Sequence, residues 1–247
     1  MLKYILTLLE VWSLIIESAA GFRGTPSLEM SLTADVFNCI SIRTSYVGIT
    51  NPVIISIMNE QQFPQFSDDY FRMTGRNWKS EKIHRKIMNL FRNHALRCLF
   101  AYRKLQQGKD LLGFFAVVDR AVSQKFGLEL KSRQIGKGLY LGHPYNISVS
   151  ENAVIGENCN LNKGASIGVD SGTVRSGQSG APILGNRVWV GANAVLSGNI
   201  KIGDNVLIAP NAYVDTDVPA NSIVIGNPAQ IISNRLDATE GYINHVC

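Results

Sequence analysis

Two patterns of apolar and polar positions meet in this chain. From about Asp68 to about Phe126 the apolar residues recur at helical spacing. Ile83, Ile87, Leu90 and Phe91 form an i, i+4, i+7, i+8 stripe. Leu96, Leu99, Phe100 and Tyr102 extend the pattern, Leu111 to Val118 forms another apolar run, and Gln107-Gly108 reads as a break between helices. This half predicts a small cap of two or three helices. From Ile135 onward the period becomes six. Aliphatic residues fall at Val149, Ile155, Leu161 and Ile167, and again at Leu184, Val190, Leu196, Ile202, Ile208 and Val214. Four residues after most of these comes a small or aliphatic one: Ala153, Cys159, Ala165, Val188, Ala194, Ile200, Val206, Ala212 and Val218.

Neither a helix nor a simple alternating strand produces a period of six. A hexapeptide repeat gives one short strand and one turn, and three of them close a triangular coil of about eighteen residues. The leading aliphatic side chain points into the prism, and the small residue fits its tighter part. Gly and Asn tolerate the left-handed backbone that the turns need. Stacked coils pair their strands in parallel, which satisfies the backbone groups. The repeat breaks between Ile167 and Leu184, where residues 169–182 are rich in Gly and Ser and read as a loop thrown out of the prism. Insertions of this length in a tight solenoid are usually functional. The expected organisation is an extension over 1–57, a helical cap over 58–134, a β-helix over 135–233 and a tail over 234–247.

Composition adds little. Lys and Arg number 24 against 19 Asp and Glu, a mild excess of five positive charges, and most of them sit between Arg72 and Lys137. With no recognisable nucleic-acid module, they read as a solvated helical surface, and no nucleic-acid partner is expected. Cys39, Cys98, Cys159 and Cys247 fit neither a zinc knuckle nor a redox pair, so a reducing, cytoplasmic setting is expected. Residues 1–16 form a short apolar run interrupted by Glu10. Two readings stay open for it: a signal-like or membrane-associating segment, or an extension upstream of a natural start at Met58.

The repeat resembles the hexapeptide-repeat acyltransferase superfamily, and the ending Ile225-Gly226-Asn227-Pro228-Ala229 strengthens the likeness. The run Gly138-Leu139-Tyr140-Leu141-Gly142-His143, followed by Ala153-Val154-Ile155-Gly156, is similar to the serine acetyltransferase branch and to its capsule and exopolysaccharide O-acetyltransferase relatives. The resemblance implies a left-handed parallel β-helix, a mainly β fold, acetyl-CoA as co-substrate, and a homotrimer with CoA in a groove between prisms. Two departures stand out. Gly142 stands where serine acetyltransferases carry an Asp before the catalytic His, and Ala181-Pro182 stands where they carry a second His. On that ground a sugar hydroxyl, as in polysaccharide biosynthesis, is the expected acceptor. Serine is the alternative, and a non-catalytic trimeric scaffold is a further one.

Moving an acetyl group from a thioester to an alcohol needs a base for the hydroxyl proton, donors for the developing oxyanion, and alignment. Of His84, His94, His143 and His245, His143 lies at the start of the coils beside the family motif and is expected to be the general base. A backbone carbonyl or Glu151 is expected to orient its ring. By family match, CoA is expected along Gly168, Val169, Ala192 and Ala209, with Arg235 on a phosphate; Trp189, on the outer side of a strand, is expected at a trimer face or along the acceptor site. No metal is expected: a γ-class carbonic anhydrase on this prism would need three His ligands, and the coils hold only His143.

Overall fold

The computed structural model describes residues 64–108, 113–169 and 180–247. The expected extension over 1–57, the start at Met58 and residues 170–179 of the inserted loop lie outside them. A layer of helices precedes a β-solenoid, and the architecture fits the left-handed β-helix expected from the repeat. The described helices are four, against the two or three expected: α1 (Pro64–Thr74), α2 (Ile83–Arg92), α3 (His94–Gln106) and α4 (Phe114–Phe126). The extra boundary comes from Asn93. Its extended backbone breaks the helical run, and its side chain accepts from the Ala95 and Leu96 N–H groups to cap α3. Phe66, Tyr70, Trp78, Phe100 and Phe115 interlock edge-to-face between these helices, with Phe66 centroids 5.0 Å from both Trp78 and Phe100. Among the described residues, no helix is long and apolar enough to cross a membrane.

Among the described residues fifteen short strands run from Leu128 to Ile232 and form three faces of five, four and six strands. Pairing within each face is parallel, except for a closing antiparallel hairpin between Ser222–Ile225 and Gln230–Ile232. The aliphatic period is the register. On the first face Leu130, Val149, Ile167, Leu196 and Val214 stack in line. On the second Ile135, Ile155, Leu184 and Ile202 do so, and on the third Leu141, Leu161, Val190 and Ile208. All are buried, as are the small residues four places on, from Ala153 to Val218. Each buried Val, Leu or Ile among them contributes roughly 1.5–3 kcal/mol relative to exposure. Pairing starts at Leu128, seven residues before the 135 at which the period becomes legible, because Leu128–Leu130 already pairs with Ile147–Val149.

Charged side chains from the helices close the first coil. Arg103 and Asp69 form a fully buried pair at 2.7 Å. Arg103 Nη1 and Nη2 also donate to the Ile135 and Gly136 carbonyls, each at 2.6 Å, while Asp69 accepts from the Leu139 N–H at 2.8 Å. Burial pushes the Asp69 carboxyl above its ordinary value, against the pull of Arg103. Arg72 donates to the Gly138 carbonyl and to the Asn160 side chain, and the Tyr102 hydroxyl to the Ser132 carbonyl. Backbone groups that a solenoid leaves unpaired at its end are thus satisfied by the helical layer.

The tail turns back down the prism. Arg235 N–H donates to the Asn221 carbonyl, Asn205 reaches the Leu236 carbonyl and the Thr239 hydroxyl, Asn160 reaches the Tyr242 carbonyl, and Asn158 exchanges two bonds with Cys247. Tyr242 lies edge-on to Trp189, with centroids 5.1 Å apart. Trp189, expected at a face between chains, is therefore packed against the chain's own tail.

Candidate active site

The edge between the third and first faces carries a column of left-handed residues: Gly127, Asn146, Gly164, Asn193 and Asn211. The edge between the second and third faces carries Gly138, Asn158, Arg187, Asn205 and Asn221. In the regular coils the two columns are six residues apart: 158 to 164, 187 to 193, 205 to 211. In the first coil they are eight apart, from 138 to 146. The two extra residues are His143 and Pro144. Gly142 is still paired with Asn162, and its carbonyl accepts from the Lys163 N–H at 2.9 Å. The next carbonyl held by that coil is Tyr145's, bonded to the Gly164 N–H at 2.9 Å. Consecutive N–H groups of the second coil thus pin both ends of a bulge, and His143 is left exposed at φ 47°.

The space beside Gly142 explains its identity. A Cβ there would come within 2.1 Å of the Asn162 Oδ1, and Asn162 itself donates to the Val190 carbonyl at 2.7 Å. The Asp that the resemblance places before the base has no room while Asn162 holds that position. Ala181, at the place of the second family His, is buried.

The other expected site residues fall into three groups. Ala192 and Ala209 lie half-buried on His143's own edge, in later coils. Gly168 and Val169 lie on the edge between the first and second faces, where the loop leaves; among the described residues a Cβ on Gly168 would meet nothing within 4 Å, and Val169 is exposed. Glu151 shares that edge, one face away from His143, so within one chain it is not the group that orients the ring. Arg235 is on neither edge, and its guanidinium is forked onto Asp237 at 3.0 and 3.1 Å. One chain therefore does not gather these residues. Among the described residues no group of three His, Cys, Asp or Glu could hold a metal ion.

One neighbour of the bulge was not foreseen. His94 Nε2 lies 3.2 Å from the Pro144 carbonyl, its ring stacks on Phe126 at 4.2 Å, and Tyr145 lies 5.0 Å away. Burial lowers its pKa below the usual histidine value. Burial also pushes the Cys159 thiol up to about 12, which leaves it an inert core residue.

Residues 181–216 match the family model of the bacterial transferase hexapeptide, six repeats. A serine acetyltransferase of Helicobacter pylori is 34% identical over 145 residues, covering 57% of this chain and 80% of that one. The chain belongs to the serine acetyltransferase family of hexapeptide transferases. Serine acetyltransferase 2 of Arabidopsis thaliana is 31% identical over 172 residues, 65% of this chain and 52% of that protein. Against this and the other Arabidopsis relatives the chain spans about half of their length or less. A crystal structure of Neisseria gonorrhoeae serine acetyltransferase aligns with a TM-score of 0.53 at 25% identity, covering 75% of this chain and 70% of that one. These relatives overturn the expected sugar acceptor and the assignment to the capsule and exopolysaccharide branch. That expectation rested on two absent side chains, and an absence does not specify what the site accepts instead.

Proposed function

We propose that this family member is an acetyl-CoA-dependent serine O-acetyltransferase with His143 as general base. The observation that carries it is the two-residue bulge: in a chain of this family, the expected base is the side chain that the first coil extrudes into solvent from a backbone pinned at both ends. A base held on rigid backbone contributes typically 10²–10⁴-fold to such a transfer. His143 takes the proton as the serine hydroxyl oxygen forms a bond to the thioester carbon. The carbon–sulfur bond then breaks, and the proton passes to the departing CoA sulfur. Backbone N–H groups near Gly168 are the proposed oxyanion donors.

The pantetheine arm is assigned to the small residues Gly168, Ala192 and Ala209, with Val169 beside them; the open space above Gly168 supports a close approach to backbone there. The two edges involved flank the first face, so a complete site needs a second chain bringing its Gly168 edge to the His143 edge of the first. A homotrimer of parallel prisms meets that requirement.

The test is CoA release from acetyl-CoA with L-serine, for the wild-type chain and His143→Ala, with sedimentation to fix the number of chains. Serine-dependent release that falls at least about 100-fold in the variant is expected. Absence of serine-dependent release from a folded wild-type protein overturns the proposal.

A further inference from the structure

The bulge that carries His143 exposes four carbonyls, and each has a partner. Gly142 and Tyr145 are held by the second coil, and the His143 carbonyl accepts from the Tyr145 N–H at 2.8 Å. The Pro144 carbonyl points the other way, to the helical layer, where His94 Nε2 lies 3.2 Å off. A carbonyl only accepts, so Nε2 carries the hydrogen and Nδ1 holds the lone pair. His94 is itself fixed. It is the first residue of α3, immediately after the capping Asn93, and its ring is stacked at 20° on Phe126, the last residue of α4. Phe126 is tied to the same edge, since its carbonyl accepts from the Asn146 N–H at 2.8 Å. The Tyr145 ring closes the cluster, 5.7 Å from Phe126.

We propose that His94 is a positioning residue: through the Pro144 carbonyl and the Phe126–Tyr145 cluster it fixes the bulge and so the direction in which His143 presents its ring. Proline has no N–H and a fixed φ, so its carbonyl is the one backbone polar handle that Pro144 offers. The inference rests on His143 being the base.

The test uses the full chain and two variants. His94→Phe keeps the aromatic stack and loses the donor. His94→Gln supplies an amide N–H in its place. His94→Phe is expected to lower kcat about 10- to 100-fold, the scale of a small misplacement, with KM for acetyl-CoA within about twofold. His94→Gln is expected to recover most of that loss, and both variants to melt close to wild type. Hydrogen exchange at the Tyr145 and Asn146 amides is expected to rise in His94→Phe and return toward wild type in His94→Gln. Unchanged kcat and unchanged exchange in His94→Phe overturn the positioning role. So does a kcat loss that His94→Gln does not relieve, which assigns the ring to packing. If wild type lacks serine-dependent turnover, the proposed function fails. The exchange measurement then decides alone whether His94 holds the bulge.

Discussion

In the solenoid, an inward side chain meets its own kind one coil away: Leu141 on Leu161, Leu161 on Val190, Val190 on Ile208. In the helical layer no contact repeats. Interlocked aromatic rings fill its centre, and buried charges join it to the first coil. One region is stabilised by many equivalent apolar contacts, so each substitution is a local loss. The other depends on a few polar contacts between residues distant in sequence, where one substitution leaves several groups without partners. The solenoid is thus a regular scaffold, and apart from the inserted loop its irregularity enters where the helices touch it, at the bulge that carries His143.

The largest effect expected from this contrast is at Asp69. Asp69→Ala leaves the Arg103 guanidinium buried against the Ile135 and Gly136 carbonyls with no counter-charge. The expected loss is about 3–5 kcal/mol in urea unfolding, with early exposure of Trp78 fluorescence. A loss under about 1 kcal/mol would mean that the helices hold to the solenoid by apolar contact alone. Next comes Leu161→Ala, which opens a cavity in the third stack at an expected cost of about 2–5 kcal/mol. Leu161→Met, which conserves volume, should stay below about 1.5 kcal/mol. Equal losses for Ala and Met would contradict apolar filling as the source of solenoid stability.

A glycine pair refines the comparison within the solenoid. Gly164 sits at φ 74°, and a Cβ there would lie 2.1 Å from the Asn193 Oδ1, so Gly164→Ala should cost about 1–3 kcal/mol. Among the described residues Gly168 has open space, so Gly168→Ala should change stability by no more than about 0.5 kcal/mol while raising KM for acetyl-CoA. A normal KM in that variant would remove Gly168 from the CoA site.

How far the sequence could be read follows the same division. The stacks were legible because an aliphatic side chain enters the prism every six residues within a regular coil, so Val149, Ile155 and Leu161 announce their positions. The bulge left a trace too: the third-face Leu141 and the first-face Val149 are eight residues apart where the period demands six. The Asp69–Arg103 pair spans 34 residues and the Asn158–Cys247 exchange 89, with no period to connect them. His94 was visible as one of four histidines, but its place beside Pro144 depends on how two helices dock. The acceptor was misjudged because Gly142 and Ala181 show only which family side chains are missing.

The last expected effect concerns Asp119 on α4 and is read through pH. Burial pushes its carboxyl up to about 6 from an ordinary 3.8. The folded chain therefore holds this proton more tightly than the unfolded chain does. The stability gained from the neutral acid is complete below about pH 4 and is lost as pH rises through 6. Asp119→Asn keeps a neutral side chain of the same shape. The variant and wild type should match near pH 4, and the variant should be more stable by on the order of 1 kcal/mol above pH 7, after allowance for the partly exposed position. His94 acts in the opposite sense. Its lowered pKa gives a contribution complete above 6.5 and lost as pH falls through the lower folded value. In His94→Phe the difference from wild type should therefore change on the acid side, whereas in Asp119→Asn it grows toward neutral pH. A gap between Asp119→Asn and wild type that stays constant from pH 4 to pH 8, measured by thermal melting, would place that carboxyl in solvent and remove a buried charge from the helical side of the comparison.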